Sequence, residues 1–277
     1  MSTVLVLGAG GHLGGEVVRL ALAAGHRVAG TWATRAPHAP PGTALHRLDL
    51  RERRAVADLV RRVRPDTVVN AAYRQDDWPV TADGAAHAAL AAAAAGARLV
   101  HVSSDAVFSG AAPSYPETAH PDPLTPYGAA KAAAETAVAA VHPDAVIART
   151  SLIIGGGASA HERRVHALAA GAPGALFTDD VRCPVHAGDL ARALLELAAT
   201  DRSGVHHLAG PHALSRHELG VLIARRDGLD PGLLPRGRRA ESGPPGPLEV
   251  RLDCTATRAV LDTELRGARA FLARTPH

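Results

Sequence analysis

The sequence predicts an α/β protein, a doubly wound parallel sheet with a small, discontinuous C-terminal region attached. Three observations predict it. Over the first 150 residues, short strand-like runs alternate with helical stretches; several of the runs are continuously apolar, as strands covered on both faces are; and a glycine-rich turn joins the first run to the first helix. Strands are expected at Val4–Leu7, Arg27–Trp32, Ala44–Leu48, Thr67–Ala71, Leu99–Ser103 and Ala145–Arg149. Helices are expected at Leu13–Ala24, closed by Gly25, and at Glu52–Val63, opened by an Asp49-x-x-Glu52 capping box. Two more are expected at Ala82–Ala95, closed by Gly96, and at Pro126–Val141, where Thr125 is the N-cap and Pro126 takes the first helical position.

After Arg149 the rhythm changes. A Gly155-Gly-Gly157 loop precedes a helix near 162–170, and an extended Cys183-Pro184-Val185 segment precedes a helix from about Asp189 to Ala199. A strand at Val205–Ala209 follows, then a Ser215-x-x-Glu218 capping box that opens a helix to about Arg226. Asp230–Pro247, rich in Pro, Gly and Arg, reads as a long loop, and Leu248–Ala273 as a short strand with short helices. The expected division is a dinucleotide-binding part over 1–152, to which 182–210 returns, and a substrate-binding region over 153–181 and 211–277.

Composition excludes several function classes. The 277 residues are 47% hydrophobic and 21% charged, enough for a large core without staples. Two cysteines, Cys183 and Cys254, cannot build a disulfide scaffold, and a reduced, cytoplasmic protein is expected. The alanine-rich run from Ala85 to Ala97 is too short and too weakly apolar to span a bilayer, so no membrane partner is expected. A net charge of +3 with arginine clusters lacking interleaved aromatics argues for solvated faces rather than a nucleic-acid site. Sixteen histidines show no metal-ligand spacing, and His206-His207 on a strand would point to opposite faces, so no metal is expected. Aromatic residues are scarce at 3%, so each of the three tyrosines can be weighed singly.

The chemistry sits in two motifs. Gly8-Ala9-Gly10-Gly11-His12-Leu13-Gly14 lies between the first strand and the first helix, a Rossmann-like dinucleotide loop. Gly8 permits the turn, Gly11 lets backbone approach a pyrophosphate, Gly14 lets the helix lie close on the sheet, and His12 and Leu13 open the helix at the anion site. The acidic residue that would grip a ribose 2′-hydroxyl is missing after the second strand, where Gly30-Thr-Trp-Ala-Thr-Arg35 stands instead. Arg35 therefore favours NADP(H) over NAD(H), and Asp49 with Leu50 is placed to meet the adenine. The second motif is Tyr127-Gly-Ala-Ala-Lys131, a phenol and an ammonium on one helix face. The ammonium is expected to favour phenolate, which suits a general acid or base, and the fifth strand ends in hydroxyls at Ser103 and Ser104.

Together these segments resemble the extended short-chain dehydrogenase/reductases, and within them the dTDP-4-dehydrorhamnose reductase group. The resemblance runs from residue 3 to about 225 and includes Arg64–Ala72, Leu99–Phe108, Pro123–Lys131, Arg149–Ser151 and Gly204–Gly210. It implies hydride transfer between a nicotinamide and a small-molecule carbonyl, often on a nucleotide sugar. Tyr127 would protonate the nascent alkoxide, Lys131 would hold the nicotinamide ribose, Ser104 would take the catalytic hydroxyl position, and Ala71 and Ala72 would flank the cofactor. Asp105 and Tyr73 would face the substrate, and Arg182 would touch its phosphate; a homodimer is the expected assembly. Asp105-Ala106 replaces the Asp-Glu pair of sugar-nucleotide dehydratases, which argues against dehydration, and the aromatic usual in the reductase group is absent at Ala106. Two other readings are a reductase of a non-sugar carbonyl and a non-catalytic NADP-binding subunit, resembling the methionine adenosyltransferase regulatory chain.

Overall fold

Seven strands form one parallel sheet: β1 (Thr3–Leu7), β2 (Arg27–Trp32), β3 (Thr43–Arg47), β4 (Thr67–Asn70), β5 (Arg98–Ser104), β6 (Val146–Thr150) and β7 (Gly204–Leu208). Their spatial order is 3-2-1-4-5-6-7, so the winding reverses between β1 and β4. The crevice beyond the carboxyl ends of strands at such a switch point is where ligands bind. The computed structural model describes residues 1–242 and 245–273.

Each face of the sheet carries its own apolar layer. Helices α1 (His12–Ala23) and α6 (Ala187–Ala198) cover one face, where Val4, Val6 and Val100 meet Val17, Leu190 and Leu194. Helices α2 (Arg53–Val63), α3 (Gly84–Ala95) and α4 (Pro126–Val141) cover the other, packing Leu5, Leu7 and Leu99 against Leu59, Ala88, Ala92 and Ala134. Alanine stands where larger side chains usually pack, so α3 and α4 lie close to the strands. That is how 3% aromatic residues suffice.

The expected strands and helices of the first 150 residues form, with shifts of one or two residues at their ends, save at two starts. Glu52 is the N-cap of α2 and makes no side-chain cap, because the Asp49 carboxylate is taken by Arg51 at 2.6 Å; the expected capping box does not form. Ahead of α3, Pro79–Asp83 is a single π-turn that begins three residues before the expected start. Asp77 caps it through Val80 N at 2.9 Å, and Thr81 Oγ1 donates to the Arg74 carbonyl at 2.6 Å.

A smaller lobe follows β6. Helices α5 (Ala160–Ala169) and α7 (Arg216–Asp227) enclose a separate apolar cluster that includes Ile154, Val165, Leu176, Leu219 and Ile223. Both helices open on complete capping boxes, Ser159/Glu162 and Ser215/Glu218. Part of the expected loop after Asp230 is ordered differently: Arg236–Gly237 pairs in parallel with Leu176–Phe177. The main chain at Glu249 and Leu252 bridges to Val181 and Tyr115, tying the C-terminal segment across both lobes.

Candidate active site

The carboxyl ends of β1, β4, β5 and β6 open on one side of the sheet, and the residues singled out by sequence converge there. Gly8 has φ +85°, and a Cβ on it would lie 2.9 Å from the Ala72 backbone; a Cβ on Gly14 would lie 2.2 Å from the Gly8 carbonyl oxygen. Larger residues at either position would push the loop off the strands. Gly11 N donates to Gly8 O at 2.9 Å, and α1 starts at His12 without a side-chain cap, so its first N–H groups face the crevice as an anion site. Burial lowers the His12 imidazole below its ordinary value, keeping it neutral beside that site. The loop therefore fits a dinucleotide, with backbone as its main ligand.

Around the loop, Ala71 and Leu13 pack with the sheet core, Ala72 lines the turn, and Leu50 is buried with its carbonyl accepting from His87 Nδ1 at 2.8 Å. Asp49 is turned to Arg51, whose hydrogen bonds hold its carboxyl below the usual range. Arg35 follows β2 with an exposed side chain. A second cation nearby escaped the sequence reading: Arg47 at the end of β3 lies 5.9 Å over the Trp32 ring. Only the parallel register, which sets Trp32 opposite Arg47, brings them together.

Ser104 ends β5, and Tyr127 and Lys131 rise from the first two turns of α4, which Thr125 caps by accepting from Gly128 N. A Cβ on Gly128 would fall 2.1 Å from the Ala106 carbonyl oxygen, so glycine allows α4 to approach the end of β5. The Tyr73 ring stands 5.7 Å from the Tyr127 ring, and the Lys131 ammonium lies 5.2 Å above Tyr73. Lys131 is 2% exposed and donates to the Val102 carbonyl at 2.9 Å. Its burial pushes the ammonium down to about 8, against the opposing charge of Glu135. The phenol goes the other way from expectation. Burial raises Tyr127 well above an ordinary phenol, Tyr73 and Asp105 add to the rise, and the Ser104 hydroxyl bonded to it only partly offsets them. Desolvation dominates, so Tyr127 stands ready as a proton donor.

Behind Ser104 the side chains form a charged network. Asp105 is 6% exposed and accepts from Ser151 Oγ at 2.6 Å, with Arg182 Nε 3.6 Å away. Arg182 does not reach outward as the sequence suggested. Its guanidinium is 2.9 Å from Asp180 and donates to the carbonyls of Pro247 and Leu248 at 2.8 and 3.1 Å. Arg216 instead pairs with Asp180 at 3.2 Å and lines a cavity of about 260 Å³ between α5 and α7. His161, Arg164, Phe177 and Gly220 complete much of its lining, and burial brings His161 down to about 4. Arg216 carried no local sequence signal, since its partner Asp180 lies tens of residues away. Lys131 did carry one: it is the single lysine among 30 Lys and Arg residues.

A sequence profile of the RmlD substrate binding domain matches residues 1–275, nearly the whole chain. The chain belongs to the RmlD substrate-binding family. Among similar proteins, a probable low-salt glycan biosynthesis reductase of Haloferax volcanii is 32% identical over 246 residues, 83% of this chain and 81% of its own. The dTDP-4-dehydrorhamnose reductase of Streptomyces griseus is 33% identical over 247 residues, 82% and 77% of the two chains. Of solved structures, a hypothetical dTDP-4-dehydrorhamnose reductase from Sulfolobus tokodaii superposes with a TM-score of 0.83 at 29% identity, covering 96% of this chain and 97% of that one. As an RmlD-family member, the chain is an NAD(P)-dependent oxidoreductase of the extended short-chain dehydrogenase/reductase type, a class that includes nucleotide-sugar reductases.

Proposed function

We propose that the protein is an NADP(H)-dependent reductase of a 4-keto nucleotide sugar, with Tyr127 as general acid. The observation that carries this reading is the convergence of Ser104, Tyr127 and Lys131 at the end of β5, which the Asp105, Arg182 and Asp180 ion pairs join to a cavity lined by Arg164 and Arg216. The nicotinamide, when bound, supplies hydride to the carbonyl carbon. The chain's own residues manage the oxygen. Ser104 donates a hydrogen bond to it, and Tyr127, protonated because it is buried, passes its phenolic proton to the nascent alkoxide. Lys131 stands one helical turn behind Tyr127 as a buried cation. It favours the phenolate left after transfer and binds the ribose hydroxyls.

The division of labour follows the lobes, with 1–152 and 182–210 holding the dinucleotide and 153–181 and 211–277 the substrate. Arg216 and Arg164 suit the diphosphate of a nucleotide sugar, and the Phe177 side of the cavity offers an apolar face to its base. The missing ribose-binding acid and the exposed Arg35 support NADP(H). The retained Ser104/Tyr127/Lys131 set argues against a non-catalytic subunit.

The test follows NADPH consumption across a panel of keto-sugar nucleotides and non-sugar ketones. Turnover confined to nucleotide-bound ketones supports the proposal; turnover of non-sugar ketones alone overturns it. Tyr127→Phe should retain NADPH affinity within about twofold while turnover falls by about a thousandfold. Full activity in that variant would remove Tyr127 from the mechanism.

A further inference from the structure

A fully buried ammonium needs an anion, and the structure places one a turn further along α4. Glu135 is 5% exposed and shares a helix face with Lys131. Its Oε1 accepts from Ser103 Oγ at 2.5 Å, and its two oxygens receive the Arg149 guanidinium at 2.8 to 3.2 Å. Ser103 immediately precedes Ser104 on β5. Arg149, on β6, is held from its far side by the Ala119 carbonyl at 3.0 Å and lies 5.0 Å over the Phe108 ring. The carboxylate thus joins the helix that carries Tyr127 and Lys131 to the strand that carries Ser104.

We infer that Glu135 is a positioning residue for the reaction: through Ser103 it fixes the end of β5 that presents Ser104, and its carboxylate, one turn from Lys131 on the same helix face, sets a negative charge near that ammonium. Among the described residues, several groups surround the pair. Lys131 is faced by Tyr127 and Glu135 from its own helix, by His101 from β5 and by Tyr73 from the loop after β4. Glu135 is faced by Ser103, by Arg149 and, from β7, by His207. His101 accepts from or donates to Asn70 at 3.2 Å and is held neutral by burial, so of these groups Glu135 is the anion. Glu135 also offsets Arg149, and removing it would leave that guanidinium buried without its partner.

The single lysine makes the test direct, since carbon-13 at lysine Cε gives one resonance, that of Lys131. In Glu135→Gln its titration midpoint should fall by about one pH unit; an unchanged midpoint overturns the electrostatic role. Ser103→Ala keeps the charge, so the midpoint should stay while kcat drops by about tenfold at unchanged KM for the coenzyme; unchanged kcat overturns the positioning role. Should Glu135→Gln not fold, Glu135→Asp carries the test. It should hold the midpoint and lose turnover, and wild-type turnover there overturns the inference. The kinetic arm rests on the reductase reading and uses the ketone that the substrate panel identifies. The lysine titration needs no substrate, so failure of that reading and failure of this inference are separable.

Discussion

At the end of β1 the chain meets its ligand with backbone. Gly8, Gly11 and Gly14 strip side chains from the turn, and α1 starts without a side-chain cap. Across the cleft, at the short strand Val181–Arg182, it does the opposite. There Asp180 is 3% exposed and serves three guanidiniums: Arg182 at 2.9 Å, Arg216 at 3.2 Å and Arg239 at 2.9 Å. A backbone site tolerates almost any change that keeps the turn, while a site made of paired charges depends on every partner. The first is written in one short segment; the second is assembled from residues some sixty positions apart.

The comparison can be broken most forcefully at Asp180. Asp180→Asn leaves buried guanidiniums short of charge, and should cost about 3–5 kcal/mol in chemical denaturation. It should weaken the nucleotide-sugar substrate while leaving coenzyme affinity intact. A loss of coenzyme binding with a stable small lobe would show that the two sides are not separate.

Acid should reveal the buried histidines of both lobes. His161, beside the cavity, and His207, on β7, are brought from 6.5 to about 4 by burial. Below pH 6.5 the unfolded chain takes up protons that the folded one refuses, so their stability is full above 6.5 and drains away toward pH 4. The thermal midpoint should fall by several degrees over that interval. His161→Gln should flatten the fall at the small lobe, and a midpoint independent of pH would refute the assignment.

Gly14→Ala tests the backbone side. Its Cβ would meet the Gly8 carbonyl, so stability should drop by about 1–3 kcal/mol, and coenzyme affinity should fall with it. The smallest effect is expected at Arg35. Arg35→Ala should weaken NADPH by about tenfold in a fluorescence titration and leave NADH unchanged, as loss of one phosphate contact would. An equal effect on both coenzymes would shift the 2′-phosphate role toward Arg47, which the register brings to the same edge.

The aromatic residues show where legibility ends. Scarce as they are, they divide between the cleft and the core. Tyr73 and Trp78 are exposed at 51% and 46%, and Tyr73 does stand against Tyr127. Phe108 and Tyr115 instead stack on each other at 4.0 Å within a buried cluster that includes Cys183 and Cys254. No local pattern separates the two pairs, because both lie in irregular segments flanking strands. Only the bridge from Tyr115 to Leu252, across about half of the chain, decides that one pair is core.

By itself the sequence determined the strand and helix succession, the glycine turn, and the Tyr127/Lys131 pairing. Each follows from rules that act within a few residues: periodicity, capping, and the need for a missing Cβ. Tertiary structure alone decided which charges are spent inside. It turned Arg182 inward, brought Arg216 to the cavity, placed Glu135 behind Lys131, and kept the Tyr127 phenol protonated where its spacing from Lys131 suggested otherwise. Desolvation and long-range pairing set those outcomes, and both depend on what surrounds a group in space rather than along the chain.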